Sequence, residues 1–220
     1  MFSHGVGGDP DLYTALLSGW AAAGFVVAAP TFPVTSAGPS ESIGDIVNQP
    51  ADVSFVLTRV LALGSVDGPL HGRIDTDRIA VAGHSGGAVT TLGLLDTCCA
   101  DARVDAAIVM AGTMALFGDT YASPGVPTLF LHGSADDVVP LSEGAAAFAA
   151  APRPKAGMVL VDGSHAAPFQ DRTDTAFPTV LATSTDFLRW ALTGAPDALE
   201  DFRVDADRPA QVGLSDDLPR

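Results

Sequence analysis

Arg78-Ile79-Ala80-Val81-Ala82-Gly83-His84-Ser85-Gly86-Gly87 passes without a break from an apolar, β-branched run into a glycine-rich turn, and Ala88 to Leu95 continues as a helical pattern. The apolar run reads as a buried strand. The turn matches Gly-x-Ser-x-Gly, and its place between a strand and a helix carries more than the five letters do. A chain that turns so tightly has room only for small residues on either side of the serine. The serine is then held with its hydroxyl exposed, at the positive end of the following helix. A glycine-rich turn with an incidental serine is the blander reading, and the flanks disfavour it. The Gly-x-Gly-x-x-Gly spacing of a dinucleotide loop is absent here.

Outward from this turn, short apolar runs alternate with helical patterns. Gly24-Phe25-Val26-Val27-Ala28-Ala29-Pro30 reads as a buried strand. A helix over about 10–23 precedes it, with Asp9 as N-cap, Pro10 in the first turn and Gly24 as the stop. A helix over about 50–63 opens at Pro50 and aligns Val53, Val56, Leu57, Val60 and Leu61 on one face. Strands are expected over 104–110, 128–131 and 158–161, and helices over 141–150 and about 179–192, the last ending at Gly194. Continuous apolar strands, each followed by a helix, indicate an α/β fold with a mostly parallel sheet and helices on both faces. The stretch from about 197 to 220 is polar and acidic, and its pattern leaves open whether it packs.

Composition narrows the partners. The chain has 220 residues, enough for one domain, with 47% hydrophobic residues and a formal charge of −15. Lys+Arg number 11 against 26 Asp+Glu, a balance that argues against nucleic acid or an anionic membrane. Lys155, the one lysine, sits in Pro-Arg-Pro-Lys, which is neither a phosphate loop nor a Schiff-base site. Cys98 and Cys99 are adjacent; neighbouring Cα atoms lie about 3.8 Å apart, short of the usual disulfide span of about 4.4–6.8 Å, so no ordinary disulfide is expected. No apolar run reaches the roughly 18 residues of a membrane span. The first residues lack the basic start and apolar stretch of a signal peptide. No metal signature is present, and no cofactor is expected.

With the Ser85 turn in place, the chain resembles serine hydrolases of the α/β-hydrolase fold, in particular the dienelactone-hydrolase-like, platelet-activating-factor-acetylhydrolase-like and polyester-hydrolase-like branches. Dienelactone hydrolases use cysteine where this chain has Ser85. The resemblance covers residues 1 to about 195 and rests on three motifs. It implies hydrolysis of carboxylic esters through an acyl-enzyme. A serine hydroxyl needs a base, and the base an orienting carboxylate. In this fold the chain order is serine, acid, histidine. Of the five histidines only His132 and His165 follow Ser85. His132 precedes Gly133, where a packing role is expected. His165, in Asp162-Gly163-Ser164-His165, falls on a loop at the carboxyl edge of the sheet, where open α/β sheets place their chemistry, and is the expected base. In the hydrolases it resembles, a Gly-x-x-Asp step followed by two apolar residues and proline carries the acid. By position that is Asp136 in Gly133-Ser134-Ala135-Asp136-Asp137-Val138-Val139-Pro140. Asp137 and Asp162 are the weaker rivals.

The oxyanion donors are expected to be the backbone N–H of Gly86 and, by the same resemblance, of Val6 in Ser3-His4-Gly5-Val6-Gly7-Gly8. This loop normally follows a full strand with two more before it. The resemblance therefore implies a sheet lacking the first two strands and most of the third, as in an N-terminally truncated relative, with neighbouring backbone groups left unpaired. Met114, Phe117, Val138 and Phe169 are candidates to wall the acyl pocket, with Val6, Val139 and Ala166 beside them. No long insertion reads as a lid, which favours accessible esters or polymer chains. The expected organisation is a catalytic domain over 1–195 and an acidic extension over 196–220, acting as a monomer on a small-molecule or polymeric ester. A cutinase-like or lipase-type hydrolase, a peptidase of the same fold, and a non-catalytic binding protein with a relic triad are the alternatives. No compartment follows from the sequence.

Overall fold

In the computed structural model, six strands form one sheet in the order β1-β2-β3-β4-β5-β6. They are β1 Phe2–Ser3, β2 Ala80–His84, β3 Ala106–Met110, β4 Thr128–Gly133, β5 Lys155–Leu160 and β6 Val212–Asp216. The first five run parallel and β6 returns antiparallel along β5. The structure describes all residues except 39, 40, 119, 123, 124, 209, 210 and 220. The helices are α1 Thr14–Ala22, α2 Gln49–Leu63, α3 Gly86–Gly93, α4 Leu141–Ala150, α5 Ala167–Gln170, α6 Phe177–Thr193 and α7 Pro196–Ala206.

Side-chain alternation along the strands divides the core between two layers. Ala106, Ile108 and Met110 of β3 pack with Leu16 and Trp20 of α1, Val180 and Phe187 of α6 and Phe202 of α7. Val109 faces the other way, toward Ala88, Val89 and Leu92 of α3 and Ala147 of α4, and Ala107 packs near Val53 of α2. Burial on both faces is why the central strand β3 is apolar throughout. The expected mostly parallel α/β sheet is what forms. The helix signals hold as well: the Asp9 side chain accepts from the Asp11 N–H ahead of a 3₁₀ turn over Pro10–Tyr13, and Gly194 closes α6 at φ 70°.

Three regions differ from expectation. The run Gly24–Pro30 forms no strand, and Val26 is 42% exposed. One backbone bond, from Phe2 N–H to Ala28 O at 2.9 Å, ties it to β1. With only two residues in β1, there is no ladder for it to extend. β1 itself pairs with β2 only at Phe2↔Ala82 and Ser3↔Gly83. The acidic stretch beyond 196 is ordered into α7 and β6, with Phe202 fully buried. Its polar residues are the outer faces of an amphipathic helix and an edge strand. Finally, Cys98 and Cys99 are joined to each other by a disulfide, their Cα atoms 3.8 Å apart. The usual span describes cysteines on separate segments, whereas neighbours can close a small ring across one peptide bond.

Lys155 has a structural position. It begins β5, buried, and its ammonium donates to the carbonyls of Phe148 (2.6 Å) and Ala151 (2.7 Å) at the carboxyl end of α4. There it meets the negative end of the helix dipole and acceptors that the helix itself leaves free.

Candidate active site

Ser85 lies between β2 and α3 with φ 55° and ψ −120°, a left-handed conformation rarely taken by a side-chain-bearing residue. Its N–H donates to Met110 O at 2.9 Å, which pins the turn to the end of β3. The flanking glycines follow from close backbone approaches. A methyl on Gly83 would overlap the carbonyl of Gly87, and one on Gly87 would overlap the carbonyl of Ser3. The Gly-x-Ser-x-Gly spacing thus reports how tightly strand, turn, helix and β1 are stacked. The Ser85 hydroxyl is partly exposed and makes no hydrogen bond among the described residues.

Two loops leave the carboxyl ends of β4 and β5 and are stitched to each other. A methyl on Gly133 would overlap the carbonyl of Gly163. Ala135 N–H donates to Gly163 O at 3.0 Å, and Asp162 N–H donates to Ser134 Oγ at 2.8 Å. This contact delivers Asp136 to His165, with Oδ2 at 2.8 Å from His165 Nδ1. Asp136 Oδ1 accepts from Val138 N–H (2.9 Å) and Val139 N–H (2.8 Å). Its side chain is closed to solvent. Burial raises the pKa of this carboxyl, but the hydrogen bonds from His165, Val139 and Val138 outweigh it and hold the group below its usual range. Asp136 therefore stays charged, and its charge faces Nδ1 of His165. The rival acids are elsewhere: Asp137 and Asp162 are exposed.

The loop over residues 4–8 lies against the start of α3. A Cβ added to Gly86 would sit 3.5 Å from Val6 N and 2.7 Å from Val6 Cγ2. Gly86, first in its helix, has an N–H without an intrahelical acceptor. His4 fixes the loop. Its Nε2 accepts from Phe32 N–H at 3.0 Å, which leaves Nδ1 as the protonated nitrogen donating to Gly5 O at 2.9 Å. Because a peptide unit is planar and trans, holding Gly5 O also sets the direction of the Val6 N–H.

Three more residues belong to this cluster, and the sequence reading assigned none of them to it. His132 Nε2 lies 2.9 Å from Val139 O, so it donates there, and 3.3 Å from Asp136 Oδ2. His84 and Tyr13 are buried, with His84 Nδ1 2.7 Å from Tyr13 Oη and His84 Nε2 2.7 Å from the carbonyl oxygen of His165. The rings of His84 and His165 lie 4.8 Å apart. Tyr13 shares its spacing with Leu16 and Trp20 and so reads as core. The one available signal was a histidine directly before the candidate nucleophile.

The expected pocket residues divide. Val138 is 63% exposed and Met114 is partly buried. Phe117 is buried and packs against α3. Phe169 is 0% exposed, its ring 5.1 Å from that of His84, so it supports the rim from beneath and presents no surface to a substrate. A cavity of about 350 Å³ opens elsewhere, beside β1, walled by Phe2, Trp20, Phe25, Val27, Leu57 and Ile79. Ser85, Asp136 and His165 are not among its walls.

The sequence pattern of the PET hydrolase-like family matches residues 13–183, well over half of the chain. No curated protein matches it. The chain belongs to the PET hydrolase-like family, an α/β-hydrolase family of ester hydrolases.

Proposed function

We propose that this member of the PET hydrolase-like family cleaves carboxylic esters by acyl transfer to Ser85, with His165 as general base, Asp136 as its orienting acid, and the N–H groups of Gly86 and Val6 as oxyanion donors. The observation that carries the reading is the 2.8 Å contact between Asp136 Oδ2 and His165 Nδ1, made at the same sheet edge as the strained Ser85 turn. Asp136 holds the hydrogen on Nδ1, which leaves Nε2 with a free lone pair. Nε2 takes the proton of Ser85 as Oγ bonds to the ester carbonyl carbon. The carbonyl oxygen becomes an oxyanion between two N–H donors. The intermediate collapses, the carbon–oxygen bond to the alcohol breaks, and His165 returns its proton to the departing alkoxide. Water then repeats the sequence on the acyl-serine: His165 removes its proton, the acid leaves, and Ser85 regains its hydrogen.

Extended apolar polyesters are the favoured substrates within this class. Val138 and Leu116, on loops that leave the carboxyl ends of β4 and β3, are both largely exposed, as are Ile43 and Val47 on the 3₁₀ segment that touches Gly86 through Ile46. An open, apolar rim suits a chain lying across the surface better than a small polar ester. The test is release of nitrophenol from a short-chain ester, soluble product from a polyester film, and fluorophosphonate labelling of Ser85. Wild type is expected to react in all three and Ser85→Ala in none. Equal turnover by both proteins refutes the assignment.

A further inference from the structure

We propose that Tyr13 and His84 are positioning residues, a buried one-way chain of hydrogen bonds that holds the backbone of the base and the backbone of the oxyanion loop in register with Ser85. The inference rests on the assignment of Ser85 and His165 as the reacting pair.

The direction of the chain follows from what each atom can do. His84 Nε2 is 2.7 Å from the carbonyl oxygen of His165. A carbonyl only accepts, so Nε2 carries the hydrogen. His84 is neutral, because burial above all, and then the neighbouring His165, lower its pKa to about 3. Nδ1 is therefore bare and accepts. The atom 2.7 Å away is Tyr13 Oη, which donates. Tyr13 Oη in turn accepts the N–H of Gly5 at 3.2 Å. Each group has one role: Gly5 N–H to Tyr13, Tyr13 O–H to His84, His84 Nε2–H to the carbonyl of His165.

The ends of the chain are what matter. At one end Gly5 precedes Val6, whose amide is a proposed oxyanion donor. At the other, the carbonyl of His165 anchors the backbone of the base, whose ring is held separately by Asp136. In the middle, His84 is bonded covalently to Ser85. Nucleophile, base and oxyanion loop come from elements far apart in sequence, and this chain ties all three together. None of its members is exposed to substrate; Tyr13 and His84 are closed to solvent. They act through the residues they hold.

The test compares Tyr13→Phe, His84→Phe and His84→Gln with wild type on a short-chain nitrophenyl ester, with circular dichroism and melting temperature recorded for each. Gln at 84 keeps an N–H for the carbonyl of His165, whereas Phe keeps only the ring. Tyr13→Phe and His84→Phe are expected to lower kcat about 10–100-fold with KM nearly unchanged, the size of effect that a slight misplacement of reacting groups produces. His84→Gln is expected to recover most of that loss. Folded Phe variants with wild-type kcat overturn the relay while leaving the triad standing. Failure of a fluorophosphonate to label Ser85 in wild type overturns the triad, and the relay with it. If the Phe variants do not fold, nitrogen NMR of wild-type His84 decides. A neutral Nε2–H imidazole at neutral pH, despite Tyr13, His165, His132 and Asp136 around it, supports the chain. A cationic or Nδ1–H ring refutes it.

Discussion

The rim around Ser85 and the flank beside β1 border the same sheet and are built in opposite ways. At the rim, polar groups are buried and nearly all are paired: His4, His84 and His132 each bond to protein through their rings. Among the described residues, the three non-glycine residues with positive φ, Ser85, Ala111 and Asp162, directly follow β2 and β3 or lie just beyond β5. At the flank the chain from Phe25 to Pro30 is half-exposed, one backbone bond joins it to a two-residue strand, and a cavity of about 350 Å³ lies beneath. Strain is sustained only where surrounding bonds over-determine it, and the rim has those bonds. The contrast teaches where this fold requires defined geometry and where apolar contact suffices.

Four experiments break or sharpen that contrast, in order of expected effect. Asp136→Asn should lower ester turnover about 10³–10⁴-fold, because the amide no longer favours the hydrogen on His165 Nδ1. Steady-state kinetics checks it, and near-wild-type turnover would remove Asp136 from the site. Gly87→Ala forces a methyl into the carbonyl of Ser3, which neither backbone can vacate cheaply. A loss of about 3 kcal/mol or more is expected in urea unfolding. His84 links the rim to pH. Its folded pKa of about 3 lies below the ordinary 6.5, so the unfolded chain takes up the proton more readily. Stability is therefore full above about 6.5 and falls as pH drops toward 3. His84→Gln should flatten that slope in urea midpoints measured from neutral to acid pH. Last, Val26→Ala on the flank should change stability by no more than about 0.5 kcal/mol, since the side chain is 42% exposed. A loss as large as that of Gly87→Ala would erase the distinction.

Much of the frame was legible because its signals are local. Apolar runs of strand length, Pro10 and Pro50 at helix starts, and Gly194 at a helix end each depend on residues within a turn or two. The Ser85 turn was legible because its spacing is local, with Gly83 answering to the carbonyl of Gly87 within the motif, although Gly86 and Gly87 answer to Val6 and Ser3 far away in sequence. Errors arose where the deciding partner is remote. Gly24–Pro30 has the composition of a strand, but strand formation needs a neighbour of matching length, and β1 is two residues long. Whether the acidic tail packs stayed open, because Phe202 and Leu199 find their places only against α6 and the sheet. Phe117 follows β3 at the carboxyl edge and Phe169 lies near His165 in sequence, yet they turn inward to α3 and His84.

The sequence alone determined the two-sided α/β sheet, most of its strands and helices and the tight Ser85 turn, because periodicity and turn chemistry are written in neighbouring positions; the residues proposed as acid and base came from the resemblance to known hydrolases. The pairing of the β4 and β5 loops across Gly133 and Gly163, the closing of Tyr13 onto His84 and the hold of His84 on the carbonyl of His165 were decided by the tertiary structure. Hydrogen bonds between groups 71 and 81 positions apart depend on where the sheet sets its strand ends, and no local pattern encodes that distance.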